Sequence, residues 1–373
     1  MKLIEIDTED NRQVKQFLQL PFRLYANIPQ WVPPLASDAR RMLDKRRNPF
    51  FIHSQAAFFL VLDDQYMALG RIAVLNNFRY NQYHNETTAF FYLFECENNA
   101  EVALLLFEAA FQWARDQGLS VINGPKGFTV FDGYGVLVKG FEHRPAFGLP
   151  YNPPYYPDLV EAAGFQPAGD ILSGYMNSKM QFPETIHQVA RRIQERRDLH
   201  VARFTSRRDL TSLVPKLKDL YNGVLANMEG NIPLIDEEVI LLADQMLWFA
   251  NPRLIKIVFK GDQPVGFLLA YPDISAAVQR TKGRVFPFGW IDLLLELRRT
   301  KWININGAGM LEGYRGLGGT ALLFSEMQRC VVEEGYLHAD LVQIGTENEK
   351  MQRELRDLGI DFYKTHRLYS RSL

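Results

Sequence analysis

The part of this 373-residue chain best equipped for chemistry is Ile303 to Leu323, ININGAGMLEGYRGLGGTALL. Ile303 and Ile305 alternate with Asn304 and Asn306 as in a half-buried strand, and the small residues Gly307, Ala308 and Gly309 let a ligand lie close to the backbone. A glycine-rich bend follows. Gly316, Gly318 and Gly319 lack Cβ atoms, so successive N–H groups between Arg315 and Thr320 can turn toward one point. The helix that begins near Thr320 adds its positive end, and the whole reads as an anion site with diphosphate as its natural guest. A strand-to-helix turn also uses glycine for packing alone, so that plainer reading stands beside it. No Lys-Ser/Thr pair follows the glycines and G-x-G-x-x-G is absent, which excludes the Walker and dinucleotide loops.

The elements around the bend repeat in order. Downstream, Leu323, Met327, Cys330 and Val331 make the i, i+4, i+7, i+8 stripe of a helix stopped by Gly335, and Leu337 to Ile344 reads as a strand. Upstream, Leu254–Phe259 and Pro264–Tyr271 pair through Lys260-Gly261-Asp262. The first half has the same layout: a hairpin of 57–62 and 68–74, a strand at 88–96, a helix capped by Asn98 or Asn99 and striped by Leu106, Ala109, Ala110 and Trp113, and a strand at 120–123. Its bend, however, reads ECENNAE. Two glutamates stand where the later copy has glycines, which repels diphosphate and stiffens the backbone.

Arg315-x-x-Gly318-x-Thr320 resembles R/Q-x-x-G-x-G/A, the pyrophosphate loop of the GNAT superfamily of acyl-CoA N-acyltransferases. Asn348, Met351, Leu355 and Gly359 keep the spacing of the family's N-x-x-A-x-x-x-Y-x-x-x-G signature, with Leu355 in place of the tyrosine that often protonates the leaving thiolate. Over nearly its full length the chain is similar to a bacterial tandem-GNAT family. LPFRLY, WVPPL, NPFFIH, GRIA, GPKGF, YNPPYY, LYNGVLANMEGNIPL, PVGFLLAYPD, GRVFPFG, YRGLGG and ENEKM carry that resemblance by their order. It implies an α/β fold of the mixed-sheet α+β kind, with two tandem GNAT-like domains. Residues 1–178 form a degenerate copy without an ordinary CoA loop, 179–200 a linking helix, and 201–373 a GNAT domain with an insertion, Pro272 to Trp302, between its third and fourth strands. That insertion, with its PFGWIDLLLELRR, is expected as a lid, or else as packing against the other domain.

The same resemblance implies an acetyl-CoA or longer acyl-CoA donor and a small-molecule or lipid amine acceptor. The donor would be held by Met310, Leu311, Arg315, Gly316, Leu317, Gly318, Gly319, Thr320 and Asn348, with the Met310 and Leu311 amides polarising the thioester. Glu347 is the first candidate base for the amine's proton and Glu312 the second; each has a plain surface carboxylate as its alternative. A sensor that binds acyl-CoA without turnover, and a protein-interaction module, remain the other two functions.

Composition sets the outer limits. The 42 basic and 43 acidic side chains give a net charge of −1, which does not point to nucleic acid, and 47% hydrophobic residues suit folded domains. Cys96 and Cys330 lie far apart within apolar patterns, so no disulfide framework is expected, and a reducing cytoplasm is the default. No metal site is expected. No apolar run approaches the ~20 residues that span a bilayer, which leaves peripheral membrane contact open. Oligomeric state is not legible. The long loop 124–150 either wraps the fold or offers Asp132, Tyr134, His143 or Arg144 to an acceptor, and Arg191, Arg192, Arg196 and Arg197 read as a solvated helix face.

Overall fold

The computed structural model describes residues 1–129, 131–180, 182–226 and 230–373. It contains two compact units. The first comprises Met1–Ile171, Ser275–Leu294 and Lys364–Leu373, and the second Leu172–Ile274 and Leu295–Tyr363.

In the first unit, strands β1 (Lys2–Glu5), β2 (Gln55–Leu62), β3 (Ala68–Asn76) and β4 (Thr88–Cys96) pair antiparallel in that order, and β5 (Val121–Gly124) lies parallel to β4. β6 (Val136–Lys139) follows, then β7 (Gln166–Asn177). The helices are α1 (Asn11–Leu24), α2 (Ala36–Leu43), α3 (Phe78–His84), α4 (Ala100–Asp116) and α5 (Tyr156–Ala162). β2 is buried from Ala56 to Leu62, the near-continuous apolar strand expected when both faces of a sheet are covered. Phe91, Phe107, Phe111 and Phe165 fill one of these faces. On the other, Phe17, Phe50 and Phe58 pack with Phe128. α1 runs on through Pro21, with Leu20 and Pro21 both buried on its inner face.

The second unit is built from α6 (Glu184–Arg197), β8 (Leu199–Val201), α7 (Arg207–Leu225), α8 (Asp236–Met246), β9 (Ile255–Lys260) and β10 (Gln263–Pro272), then, past the insertion, β11 (Trp302–Met310), α11 (Gly319–Glu333), β12 (His338–Gly345) and α12 (Glu349–Asp357). The insertion supplies α9 (Ser275–Thr281) and α10 (Gly289–Arg299). β8 to β11 are antiparallel neighbours, and β12 runs parallel to β11. Leu268, Ala270, Ile303 and Ile305 of the sheet meet Leu322, Leu323, Met327 and Cys330 of α11 in one core. Both cysteines are free and buried.

The units trade segments, a departure from the two uninterrupted stretches expected from sequence. The last strand, β13 (Asp361–Ser372), pairs from Lys364 onward within the first unit: Tyr369 to Ser372 face β5, and Thr365 to Arg367 face β6. β7 passes the other way, its residues from Leu172 on counting with the second unit, where β12 is its neighbour. The first part of the insertion belongs to the first unit. The Ala36 amide donates to the Gly283 carbonyl, and the Gln279 side chain donates to the carbonyls of Pro29 and Trp31. The described residues of loop 124–150 are tied down at several points. Asn152 bonds both backbone groups of Leu137, Lys364 reaches the Arg144 carbonyl, and His366 the Pro150 carbonyl.

Among the described residues no helix is long and apolar enough to cross a membrane.

Candidate active site

β11 and β12 are paired from Trp302 and His338 to Ile305 and Leu341, and there the parallel ladder ends. β11 continues on β10 as far as Met310, so its last five residues form one wall of an opening. The opening begins at a bulge. Leu268 faces Ala308 while Ala270 faces Ile305, which inserts one extra residue on β11 at Asn306–Gly307, and Gly307 takes φ +97°. The first unit repeats the irregularity: Arg71 faces Glu95, Ala73 faces Tyr92, and Leu93 takes φ +51°.

Register decides which amides face the opening. The Leu311 N–H donates to the Val265 carbonyl at 2.9 Å, so that pair is hydrogen-bonded, and Met310, opposite Gly266, is the alternate pair whose N–H points off the ladder. Ala308 has the same parity. The sequence reading named Met310 and Leu311; the Leu311 amide is taken by the sheet, and Ala308 and Met310 are the two that look into the opening. Met310 also seats the next helix, since its thioether fills the space beside both Gly266 and Gly319.

The bend then turns the chain into α11. Gly316 and Gly318 take φ +72° and +89°, where a side chain is strained, and a Cβ on Gly318 would overlap Ile193 of α6. α11 starts at Gly319 with no side-chain cap, so the amides of Gly319, Thr320 and Ala321 lack an acceptor within the helix. α4 differs at this point: Asn99 caps it, accepting from the amides of Glu101 and Val102. The start of α4 thus has a side-chain cap and the start of α11 has none. In the first unit, moreover, Glu95 is turned inward to accept the hydroxyls of Tyr25 and Tyr156 at 2.6 and 2.7 Å, and Glu97 pairs with Arg23. Arg315 pins the bend, donating to the Met310 carbonyl at 3.2 Å and the Val224 carbonyl at 2.9 Å, so its charge stays close to the helix start. Leu317 is half-buried and Thr320 half-exposed in the first turn.

The carboxylates named from sequence stand at the open end. Glu312 is exposed on the single turn after β11, and Glu347 is exposed just past β12, with its carboxylate folded against Gly345. Asn348 caps α12, its side-chain oxygen accepting the Met351 amide at 3.1 Å. Leu355, at the tyrosine position, is buried in the core.

Sequence reading missed the closed end. Tyr271, Asn304 and Asp340 lie directly across from one another on β10, β11 and β12, and so share one face of the sheet. All three are buried, Asp340 to 2% exposure. Asn304 donates to Asp273 at 3.1 Å, and the phenol of Tyr363 bonds Asp340. Among the described residues the Tyr271 hydroxyl has no hydrogen-bond partner, and burial raises its pKa above the ordinary phenol value. One signal was available, since Asp340 interrupts the apolar run HADLVQI; the alignment of three strands was not.

No family model matches the chain. Protein YghO of Escherichia coli (strain K12) is 24% identical over 371 residues, covering 98% of this chain and 94% of that protein. The "Bacterial ceramide synthase" of Caulobacter vibrioides is 25% identical over 372 residues, with 97% and 95% covered. Among solved structures, a tandem GNAT protein from the clavulanic acid biosynthesis pathway aligns over 100% of this chain and 98% of its own, with a TM-score of 0.55 and 10% identity. The repeated bulge, the parallel pair that opens beyond it and the uncapped helix after the glycine bend are thus arranged on a known architecture: the chain shares the fold of that tandem GNAT protein.

Proposed function

We propose that the second unit is an acyl-CoA-dependent N-acyltransferase acting on a primary amine. The observation that carries this reading is the contrast between the two helix starts. α4 is capped by Asn99, whereas α11 has open amides behind two left-handed glycines and beside the Arg315 guanidinium. The donor's diphosphate sits there. Its pantetheine arm lies along the free edge of β11 as an added strand, bonded by the outward amides of Met310 and Ala308, and one of these amides stabilises the oxyanion. The thioester thereby comes toward Tyr271, Asn304 and Asp340.

The incoming ammonium gives a proton to a carboxylate, and the neutral amine attacks the thioester carbon. A C–N bond forms, the C–S bond breaks, and the thiolate takes up the proton shed by the new amide. We assign the base to Asp340, at the closed end. Glu347 and Glu312, at the open end, are its competitors, and Asn348 orients α12. The Caulobacter relative's name supports a long-chain donor and a lipid amine acceptor. Leu355 supports a second reading, a binder without turnover, because no hydroxyl stands at its position.

Calorimetric titration with acetyl-CoA, a long-chain acyl-CoA and free CoA, followed by thiol release with a long-chain amine, tests these readings. Binding with thiol release is expected. Binding alone would leave the sensor, and no binding to any CoA species would overturn both.

A further inference from the structure

The segment from Lys282 to Lys301 carries an apolar surface that the proposed reaction does not use. Phe286 is 82% and Phe288 75% exposed, on the short loop before α10. On α10 itself Trp290, Ile291, Leu294 and Leu295 are exposed, and Arg298 and Arg299 follow at the same helical spacing. The exposed stripe is thus apolar for two turns and basic in the third, while Leu293 is buried on the opposite side. These rings are displayed by built structure. The Trp290 amide donates to Val285 O at 2.8 Å, the Ile291 amide to Phe288 O at 3.1 Å, and the indole N–H to Pro287 O at 3.0 Å.

Exposed apolar patches of this kind mark interaction sites. Charge identifies the partner. Between Lys282 and Lys301 there are five basic and two acidic residues in a chain of net charge −1. Of those acids, Asp292 is held by a two-pronged ion pair with Arg280. Lys282, Arg284, Arg298 and Arg299 are all exposed around the rings. Trp and Phe flanked by Arg and Lys match the boundary between acyl chains and anionic headgroups.

We propose that the face formed by Phe286, Phe288, Trp290, Ile291, Leu294 and Leu295, rimmed by Arg298 and Arg299, docks the protein on an anionic lipid bilayer surface. The assignment stands apart from the acyl-transfer reading, because it concerns binding to the membrane and not the reaction.

The test is co-sedimentation of the full chain with phosphatidylcholine vesicles, with and without about 30% phosphatidylglycerol. The wild type is expected to pellet with the anionic vesicles and release in high salt. Phe286→Asp with Phe288→Asp, and separately Arg298→Glu with Arg299→Glu, are each expected to weaken partitioning at least about tenfold. All four side chains are exposed, so circular dichroism should be unchanged. No binding to anionic vesicles, equal binding to both vesicle types, or binding indifferent to the Phe286 and Phe288 changes would overturn the proposal. So would a wild-type dimer in sedimentation velocity that these changes dissociate, which would make a second copy of the chain the occupant.

Discussion

Thr320→Glu separates ligand binding from folding because the two respond with opposite sign. Thr320 lies in the first turn of α11, where a carboxylate faces the positive end of the helix and stabilises it by about 0.3–1 kcal/mol. The same carboxylate repels a diphosphate bound at those amides. At one helical turn, about 5.4 Å, and an effective dielectric near 40, each charge pair costs about 1.5 kcal/mol, so two phosphate charges cost about 3 kcal/mol. Screening over a Debye length of about 8 Å halves this to about 1.5 kcal/mol at physiological salt. Affinity for acyl-CoA should therefore fall roughly 10- to 150-fold, most at low salt, while the melting temperature holds or rises. Thr320→Gln, which keeps the length and omits the charge, should bind nearly as the wild type. Calorimetry at two salt concentrations with a thermal melt reads all of this. Unchanged affinity without a new salt dependence would refute the placement of the anion at α11.

Three further outcomes are expected. Asp340→Asn should lower kcat/KM about 100-fold or more and flatten the rising limb of its pH profile, whereas Glu347→Gln should change it by less than about threefold; the reverse order would move the base to the open end. His366 is buried and burial holds its pKa down at about 4, against about 6.5 when unfolded. Its contribution is present above the unfolded value and is lost as pH falls from about 6.5 toward 4, worth about 3 kcal/mol across that window. His366→Gln should flatten the fall of melting temperature there. Gly318→Ala should cost about 2–4 kcal/mol in denaturant melts, combining a left-handed φ with overlap on Ile193, whereas Gly316→Ala, with open space at its Cβ, should cost about 1–2 kcal/mol.

What could be read from the sequence was local. Gly316 and Gly318 announced a bend because glycine enters a left-handed backbone without the strain other residues meet there, and Asn99 announced a helix start by its chemistry. Leu311 was misassigned as a groove-facing amide because the choice between it and Ala308 depends on register, and a shift of one residue reverses every amide. Tyr271, Asn304 and Asp340 were missed for the same reason: they sit on three strands, and only pairing puts them in line. The insertion was hidden differently. Its apolar length was visible, but its docking rests on carbonyls of Pro29 and Trp31, about 250 positions earlier in the chain.

The exchange of closing strands also governs how this chain can be born. β5 gains its antiparallel neighbour only from Tyr369 to Ser372, and those residues are made after all of the second unit. Throughout synthesis of the second unit, the first has an unpaired edge at β5, the kind of strand that nascent chains offer to chaperones or to one another. The two copies of the fold therefore cannot mature one after the other as beads on a thread; completion of the first waits until the second has been made.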